Sequence, residues 1–145
     1  MDLSPQTDSE AELPALELVP PGPLRERLVD AVLRGVKTVT SRLLVMDERD
    51  ATVWESPGTR LRLVDSEGTA VAVVEIEEIR ILRLGDVGDD VAVREGDWFP
   101  DAAAWRVAHE RYWTGQLESL RAFLDDPEWR FDATTPVVVR YFRPL

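Results

Sequence analysis

Residues 35–42 form the stretch whose side chains are best suited to chemistry. The stretch reads Gly-Val-Lys-Thr-Val-Thr-Ser-Arg, and it contains Lys37, the single lysine of the chain. A desolvated lysine can lose its proton at accessible pH and act as a base or nucleophile, which arginine cannot do. Lys37 and the Thr40 hydroxyl are therefore a candidate pair for nucleophilic attack. A lysine retained by chance on a solvated face is the plain alternative.

The spacing of these residues sets a geometric condition on the pair. In a regular strand alternate residues share a face, so Thr38, Thr40 and Arg42 point one way and Lys37 points the other. Lys37 reaches Thr40 only if it lies in the irregular turn after Gly35, before the strand begins. Otherwise a half-exposed edge strand explains the same residues equally well.

A lysine–threonine pair also needs a proton carrier, for which several carboxylates are candidates. Glu95 stands beside Gly96 in a predicted loop, where catalytic groups are commonly placed. Glu75 and Glu77 alternate with apolar residues, which indicates a solvated strand face. The acidic residues between positions 86 and 97 have the oxygen ligands that magnesium prefers. Because their spacing fits no EF-hand, a solvated acidic loop explains them better, and we predict no metal and no cofactor.

Aromatic residues and the single histidine gather between positions 98 and 113. His109 lies at helical spacing from Trp105 and beside Tyr112, which favours a hydrogen-bonded structural role. One histidine cannot supply a metal cluster. Four of the aromatic residues, Trp98, Trp105, Tyr112 and Trp113, offer a stacking wall for a nucleobase, although their helical spacing is more typical of a core.

The charge of the chain restricts its partners. The formal net charge is -11, and binding to long nucleic acid depends on neutralising phosphates with lysine and arginine. We therefore expect no duplex DNA partner. Residues 24–45 are an exception, since they hold five basic and two acidic residues. A local basic patch of this kind suits a small nucleoside or a short single-stranded RNA.

Length and composition predict one cytoplasmic domain. The 145 residues lack cysteine and any long apolar run, so we expect neither disulfides nor a membrane partner. Residues 1–22 are rich in proline and acidic residues and predict a disordered tail, at whose end Leu16, Leu18 and Val19 can add a short extended segment. The predicted domain spans residues 23–145. We expect it to be a monomer or a weak dimer.

Periodicity within that domain predicts a small α+β fold on a curved, largely antiparallel sheet. Pro23 begins a helix that Gly35 ends in a left-handed conformation. Residues 47–57 predict a surface loop anchored by Trp54, and Asp101 caps a later helix. The predicted strands are 36–45, a strand around 61–63, 69–84 and 136–142, and the remaining helices are a short turn at 91–95 and residues 117–124.

The motif Gly35-x-Lys37-x-x-Thr40-x-Arg42 resembles the G-x-K-x-x-T-x-R signature of the ASCH domain family, in its longer bacterial type. Further segments resemble such proteins in the same order, namely 71–76, 85–87, 95–97, 105–109 and 138–142. The resemblance implies a PUA-like fold, a small β-barrel flanked by helices, over residues 23–145.

The resemblance also implies a range of activities. Small bacterial ASCH proteins include amidohydrolases that remove acetyl from N4-acetylcytidine with a lysine, a threonine and a glutamate, and others are metal-dependent ribonucleases. The lysine and threonine fall on Lys37 and Thr40, and the glutamate matches Glu95. Candidate substrate-binding residues are Gly35, Thr38, Ser41, Arg42, Trp105 and His109.

Three functional hypotheses follow from these residues. In the first, an amidohydrolase, Lys37 activates Thr40 or a water, Thr40 attacks the acyl carbon, Glu95 carries protons and Arg42 orients the substrate. The second is a non-catalytic module that binds short single-stranded RNA. The third is a metal-dependent ribonuclease.

Overall fold

Residues 13–52 and 56–145 are described by the computed structural model, and they form five strands and five α-helices. The strands are β1 (Ala15–Leu16), β2 (Val39–Leu43), β3 (Arg60–Val64), β4 (Ala70–Arg83) and β5 (Pro136–Pro144). The helices are α1 (Pro23–Leu33), α2 (Leu44–Asp50), α3 (Asp89–Glu95), α4 (Ala102–Thr114) and α5 (Leu117–Leu124). Within this part of the chain, none of the helices has the length and apolar character needed to cross a membrane.

The strands form one sheet in the order β1-β3-β4-β5-β2. All neighbouring pairs are antiparallel except β1 with β3, which are parallel. Strand β4 has 14 residues and shifts register against β5 between Ile76 and Glu78. Such a bulge bends a strand and increases its twist. The structure therefore confirms the predicted α+β class with a curved, largely antiparallel sheet.

The turn from α1 into β2 positions Lys37. Gly35 has a φ of 78°, the left-handed conformation that glycine adopts most readily. The amides of Val36 and Lys37 both donate to the carbonyl oxygen of Ala31, at 3.0 and 3.1 Å, which ends α1 in a tight turn. Lys37 consequently lies outside the strand, which begins at Val39, and the predicted end of the helix is confirmed.

Residues 44–50 differ from the sequence prediction, because they form helix α2 and not the end of a strand and a loop. Val45 and Met46 are buried in the core, and the carboxylate of Asp47 is buried 2.7 Å from the guanidinium of Arg140 on β5. These contacts are tertiary, and the charged residues 47–50 indicate a surface loop when the sequence is considered alone. Trp54, the predicted anchor of the loop, lies outside the described residues.

The segment before α1 packs against the sheet. Ala15 and Leu16 pair with β3, and Leu16 is buried. Arg62 Nε donates to the carbonyl oxygen of Leu13 at 2.8 Å, and the Arg62 amide donates to that of Pro14 at the same distance. Residues 13–22 thus include the short extended segment, while residues 1–12, the rest of the predicted tail, lie outside the described residues.

Two hydrophobic clusters cover the sheet. One lies against α1 and contains Leu16, Val32 and Phe142. The other lies against the remaining helices and includes Trp105 and Trp113. Asp101 caps α4 as predicted, since its Oδ1 accepts from the Ala104 amide at 2.9 Å. The second cluster therefore fixes α4 beside β2 and α3.

Candidate functional site

Lys37 and Glu95 form a buried ion pair at the centre of the candidate site. Lys37 Nζ lies 2.8 Å from Glu95 Oε2, and the two side chains are 3% and 4% exposed. The ammonium also donates to the carbonyl oxygens of Val39, at 2.7 Å, and of Glu95, at 3.3 Å. An ammonium has three N–H donors. All three are therefore engaged, and the charge of Lys37 is directed at Glu95.

Glu95 is held as a carboxylate despite its burial. Burial alone raises the pKa of Glu95, but the positive charge of Lys37 and the interaction with His109 together bring that pKa well below its ordinary value. Opposite charges and hydrogen bonds to the ionised form act in this direction. Glu95 is therefore suited to accept hydrogen bonds and to balance positive charge, and much less suited to take up a proton near neutral pH.

His109 lies on the other side of the Glu95 carboxylate. Its Nε2 is 3.6 Å from Glu95 Oε2, and its Nδ1 is 2.8 Å from the carbonyl oxygen of Trp105, one turn earlier in α4. The imidazole stacks on the indole of Trp105, with ring centroids 4.2 Å apart. The ring is thus fixed by a hydrogen bond and by stacking, with Nε2 directed towards Glu95.

A cavity of about 840 Å³ opens beside these three residues, and Glu95 and His109 are part of its wall. Thr40, Ser41 and Arg42 of β2 also line the cavity. Two buried oxygen atoms on these residues, Glu95 Oε1 and Ser41 Oγ, have no hydrogen-bond partner within the described part of the chain. Because buried polar atoms are normally paired, these oxygens can accept hydrogen bonds from water or from another molecule in the cavity.

Aromatic rings and the segment before α1 complete the wall. Trp98, Phe99, Tyr112 and Trp113 line one side of the cavity, and residues 17–21 line another. The Trp98 ring packs over Gly96, where an added Cβ atom would lie 2.7 Å from the indole. Of the four rings of the predicted stacking wall, Trp98, Tyr112 and Trp113 line the cavity, whereas Trp105 lies beneath His109 and is not part of the lining.

The structure brings together only part of the predicted site. Lys37 and Glu95 are in contact, and Thr40 shares the cavity with Glu95, but the hydrogen bonds of the Lys37 ammonium do not go to Thr40. Thr38 lies outside the cavity, where its hydroxyl accepts from Arg94 Nε at 2.9 Å. Gly35 acts through the turn that it forms. The catalytic and substrate-binding roles stay predictions.

The local basic patch is largely neutralised by neighbouring groups. Arg42 pairs with Asp47 at 3.2 Å and with Asp50, and Arg34 pairs with Asp30. Arg25 donates to two backbone carbonyl oxygens. Lys37 is buried, as described above, and the guanidinium of Arg27 lies 4.5 Å from the centre of the Trp98 ring. Little positive charge is left to attract a long polyanion.

The acidic residues between positions 86 and 97 point to separate partners. Asp86 pairs with Arg83 and Asp97 with Arg34, while Asp89 accepts from the Ala102 amide. Within residues 13–52 and 56–145, no three histidine or carboxylate side chains are grouped closely enough to hold a metal ion.

Three features of the site were not predicted from the sequence. Residues 17–21 form part of the cavity wall, Phe99 joins the aromatic side, and Asp47 links Arg42 to Arg140 beneath the cavity. The apolar run Leu16-Glu-Leu-Val was a usable signal for the first. The other two depend on long-range packing, for which a single sequence holds no signal.

The curved sheet, with a cavity between β2, α3 and α4, defines a small α+β domain of the PUA-like class. The chain belongs to the ASCH domain family, whose family model matches residues 19–144. This match confirms the family predicted from the motif at residues 35–42. The PUA-like fold is associated with RNA binding.

Solved structures agree with this assignment. The ASCH domain from Lactobacillus crispatus JV V101 is 19% identical and superposes with a TM-score of 0.69, covering 82% of this chain and 70% of the other. A protein from Enterococcus faecalis V583, assigned to the family model DUF984, is 20% identical with a TM-score of 0.67, covering 82% and 67%. At such identities the likeness shows the fold alone. No curated protein gives a significant match to the chain.

Proposed function

We propose that the cavity binds a nucleoside-sized ligand and hydrolyses an amide on an exocyclic amine of its base, with N4-acetylcytidine as the reference substrate. The observation that carries this proposal is the unpaired oxygen of Glu95, an ionised carboxylate on the wall of an aromatic cavity. A carboxylate oxygen in that position accepts the N–H of an acylated amine, which supplies its missing partner.

The size and lining of the cavity support a ligand of this class. Its volume of about 840 Å³ falls in the range of roughly 300–1,000 Å³ that is typical of small-molecule sites. Trp98 and Tyr112 offer faces for stacking a base. The ion-paired arginines and the net charge of -11 favour a compact ligand over a long nucleic acid.

The proposed roles follow from the contacts of each residue. Thr40 presents the hydroxyl that attacks the acyl carbon, and Glu95 holds the amide N–H. Lys37 keeps Glu95 ionised and in place through their 2.8 Å contact, a role that replaces direct activation of Thr40. Positioning of this kind is a large part of enzymatic rate enhancement.

Release of acetate from N4-acetylcytidine tests this proposal. We expect turnover by the wild type, a loss of about 10²-fold or more in Thr40→Ala because the nucleophile is gone, and wild-type rates in Thr69→Ala. Thr69 is a matched control, since it is an exposed threonine next to β4 that does not line the cavity.

The outcomes separate hydrolysis from binding. Equal rates in Thr40→Ala and the wild type contradict the nucleophile. Binding of N4-acetylcytidine without release of acetate contradicts hydrolysis and favours a non-catalytic nucleoside- or RNA-binding module.

A further inference from the structure

We propose that His109 is the proton-transfer residue of this cavity, with Nε2 as the atom that takes the proton of the attacking hydroxyl and returns it to the departing amine. The inference rests on the proposed function and deepens it. The sequence alone predicts His109 as a substrate-binding residue and Glu95 as the proton carrier. From the geometry of the two side chains we infer that His109 transfers the proton and that Glu95 binds the substrate.

The hydrogen bond at Nδ1 fixes the tautomer of His109. Nδ1 lies 2.8 Å from the carbonyl oxygen of Trp105, and a carbonyl oxygen can only accept, so Nδ1 carries a proton in both charge states. In the neutral ring Nε2 therefore holds the lone pair. His109 lines the cavity, and Nε2 is the ring nitrogen that can exchange a proton there.

The surroundings of the ring stabilise the cation that forms during transfer. Glu95 on α3 places Oε2 at 3.6 Å from Nε2, and Lys37, ahead of β2, pairs with the same oxygen. The other rings packed against it, of Trp105, Trp113 and Phe99, are uncharged. The imidazolium of His109 would therefore lie beside one buried carboxylate, that of Glu95, which also pairs with Lys37. A neighbouring negative charge stabilises the positive charge that the ring carries during transfer.

Neither Lys37 nor Glu95 is as well placed to exchange the proton. All three donors of the Lys37 ammonium are engaged by acceptors. Glu95 Oε2 is occupied by that ammonium, and Glu95 Oε1 accepts the amide N–H in the proposed complex. Histidine is the side chain whose ordinary titration spans neutral pH, which is where a general base is most effective.

The two half-reactions balance with His109 as the only proton carrier. In the first, the Thr40 hydroxyl gives its proton to Nε2 as its oxygen bonds to the acyl carbon. The C–N bond then breaks, and the imidazolium returns the proton to the amine nitrogen. In the second, water gives a proton to Nε2 and attacks the acyl-threonine ester. The proton passes to Thr40 Oγ1 as that bond breaks, which releases acetic acid and restores neutral His109.

The pH profile of turnover tests the proposal. Because the neutral ring is the base, we expect kcat for N4-acetylcytidine to fall as pH decreases, along a limb of a single protonation. His109→Gln should lower kcat by about 10²–10⁴-fold, the usual contribution of general acid–base catalysis, and should remove that limb. A folded His109→Gln protein with wild-type kcat, or with the limb retained, overturns the proposal.

Rescue by imidazole provides a second measurement that a structural role would not affect. His109→Ala leaves space above Trp105 for free imidazole, so added imidazole should restore activity in proportion to its neutral form. No rescue in a protein whose unfolding transition matches the wild type contradicts proton transfer at this position. Absence of turnover by the wild type overturns the proposed function itself, and with it the role of His109, so the two failures are distinguishable.

Discussion

The pairing of Lys37 with Glu95 explains why a single lysine stands in a chain otherwise rich in arginine. A compact ammonium fits between the carboxylate and two carbonyl oxygens, at 2.7–3.3 Å, whereas the planar guanidinium of arginine has five donors to satisfy. Desolvating two charges is costly, so a buried pair of this kind is weak evidence of stability. Its value lies in holding an ionised Glu95 at the cavity wall.

Removing one member of the pair should be strongly destabilising. Lys37→Met leaves the Glu95 carboxylate buried without compensation, and we expect the free energy of unfolding to fall by about 3–5 kcal/mol. Denaturant unfolding measures this loss.

The double variant Lys37→Met/Glu95→Gln is the matched control. It removes both charges, so its loss should be smaller than the sum of the two single losses, which is the signature of direct coupling. Additive losses would contradict a direct interaction between Lys37 and Glu95.

At the level of single residues, the sequence selected side chains that the structure brings together at one cavity, but it did not predict their geometry. The motif selected Lys37 and Thr40, and a glutamate beside a glycine selected Glu95. The direction of each side chain was not accessible, because the 2.8 Å contact between Lys37 and Glu95 spans 58 residues of chain. Local patterns fix which face a residue occupies and leave its distant partner undetermined.

Among the elements, helix α4 forms one side of the cavity. It carries Trp105, His109, Tyr112 and Trp113, and it begins at Asp101 with a side-chain cap. The cap therefore fixes the start of the helix that carries the imidazole.

Loss of this cap should lower the stability of the protein. Asp101→Ala leaves the Ala104 amide without its acceptor, and we expect the free energy of unfolding to fall by about 1 kcal/mol. Asp101→Asn keeps an acceptor oxygen and should stay close to the wild type. Thermal unfolding of the two variants provides the comparison, and an equal loss in both would contradict the hydrogen bond to the Ala104 amide as the cause.

The elements differ in how well their sequences specify them. Helices α1, α4 and α5 and strands β3, β4 and β5 followed from local periodicity and end signals, such as Gly35 and Asp101. Helix α2 did not, because it is stabilised by burial of Val45 and Met46 and by the pair between Asp47 and Arg140. Long-range packing of this kind overrides local propensity.

For the molecule as a whole, an acidic surface surrounds a cavity with few free cations. The net charge is -11, and most of the basic residues between positions 24 and 45 are engaged within the protein. This charge distribution supports the proposed compact ligand and gives little long-range attraction for a polyanion.

The salt dependence of RNA binding tests how much positive charge near the cavity is available to phosphates. For a short single-stranded RNA we expect a shallow slope of log K against log salt, about -1.5 or less in magnitude, which corresponds to about two phosphate contacts. Arg27→Gln should flatten the slope further, since Arg27 lies at the cavity rim over Trp98. Arg111→Gln, an exposed arginine on α4, is the control. A steep slope in the wild type would contradict a neutralised patch.

The most direct test of the whole account is the rate of N4-acetylcytidine deacetylation by Glu95→Gln. This variant keeps the shape of the side chain but replaces the ionised oxygen that lacks a partner, and a hydrogen bond to a charged group contributes about 1.5–3 kcal/mol. We predict that kcat/KM falls by about 10–100-fold in protein shown to be folded, while Glu67→Gln, an exposed change in the turn before β4, retains the wild-type value. A folded Glu95→Gln protein that deacetylates as fast as the wild type would contradict the account.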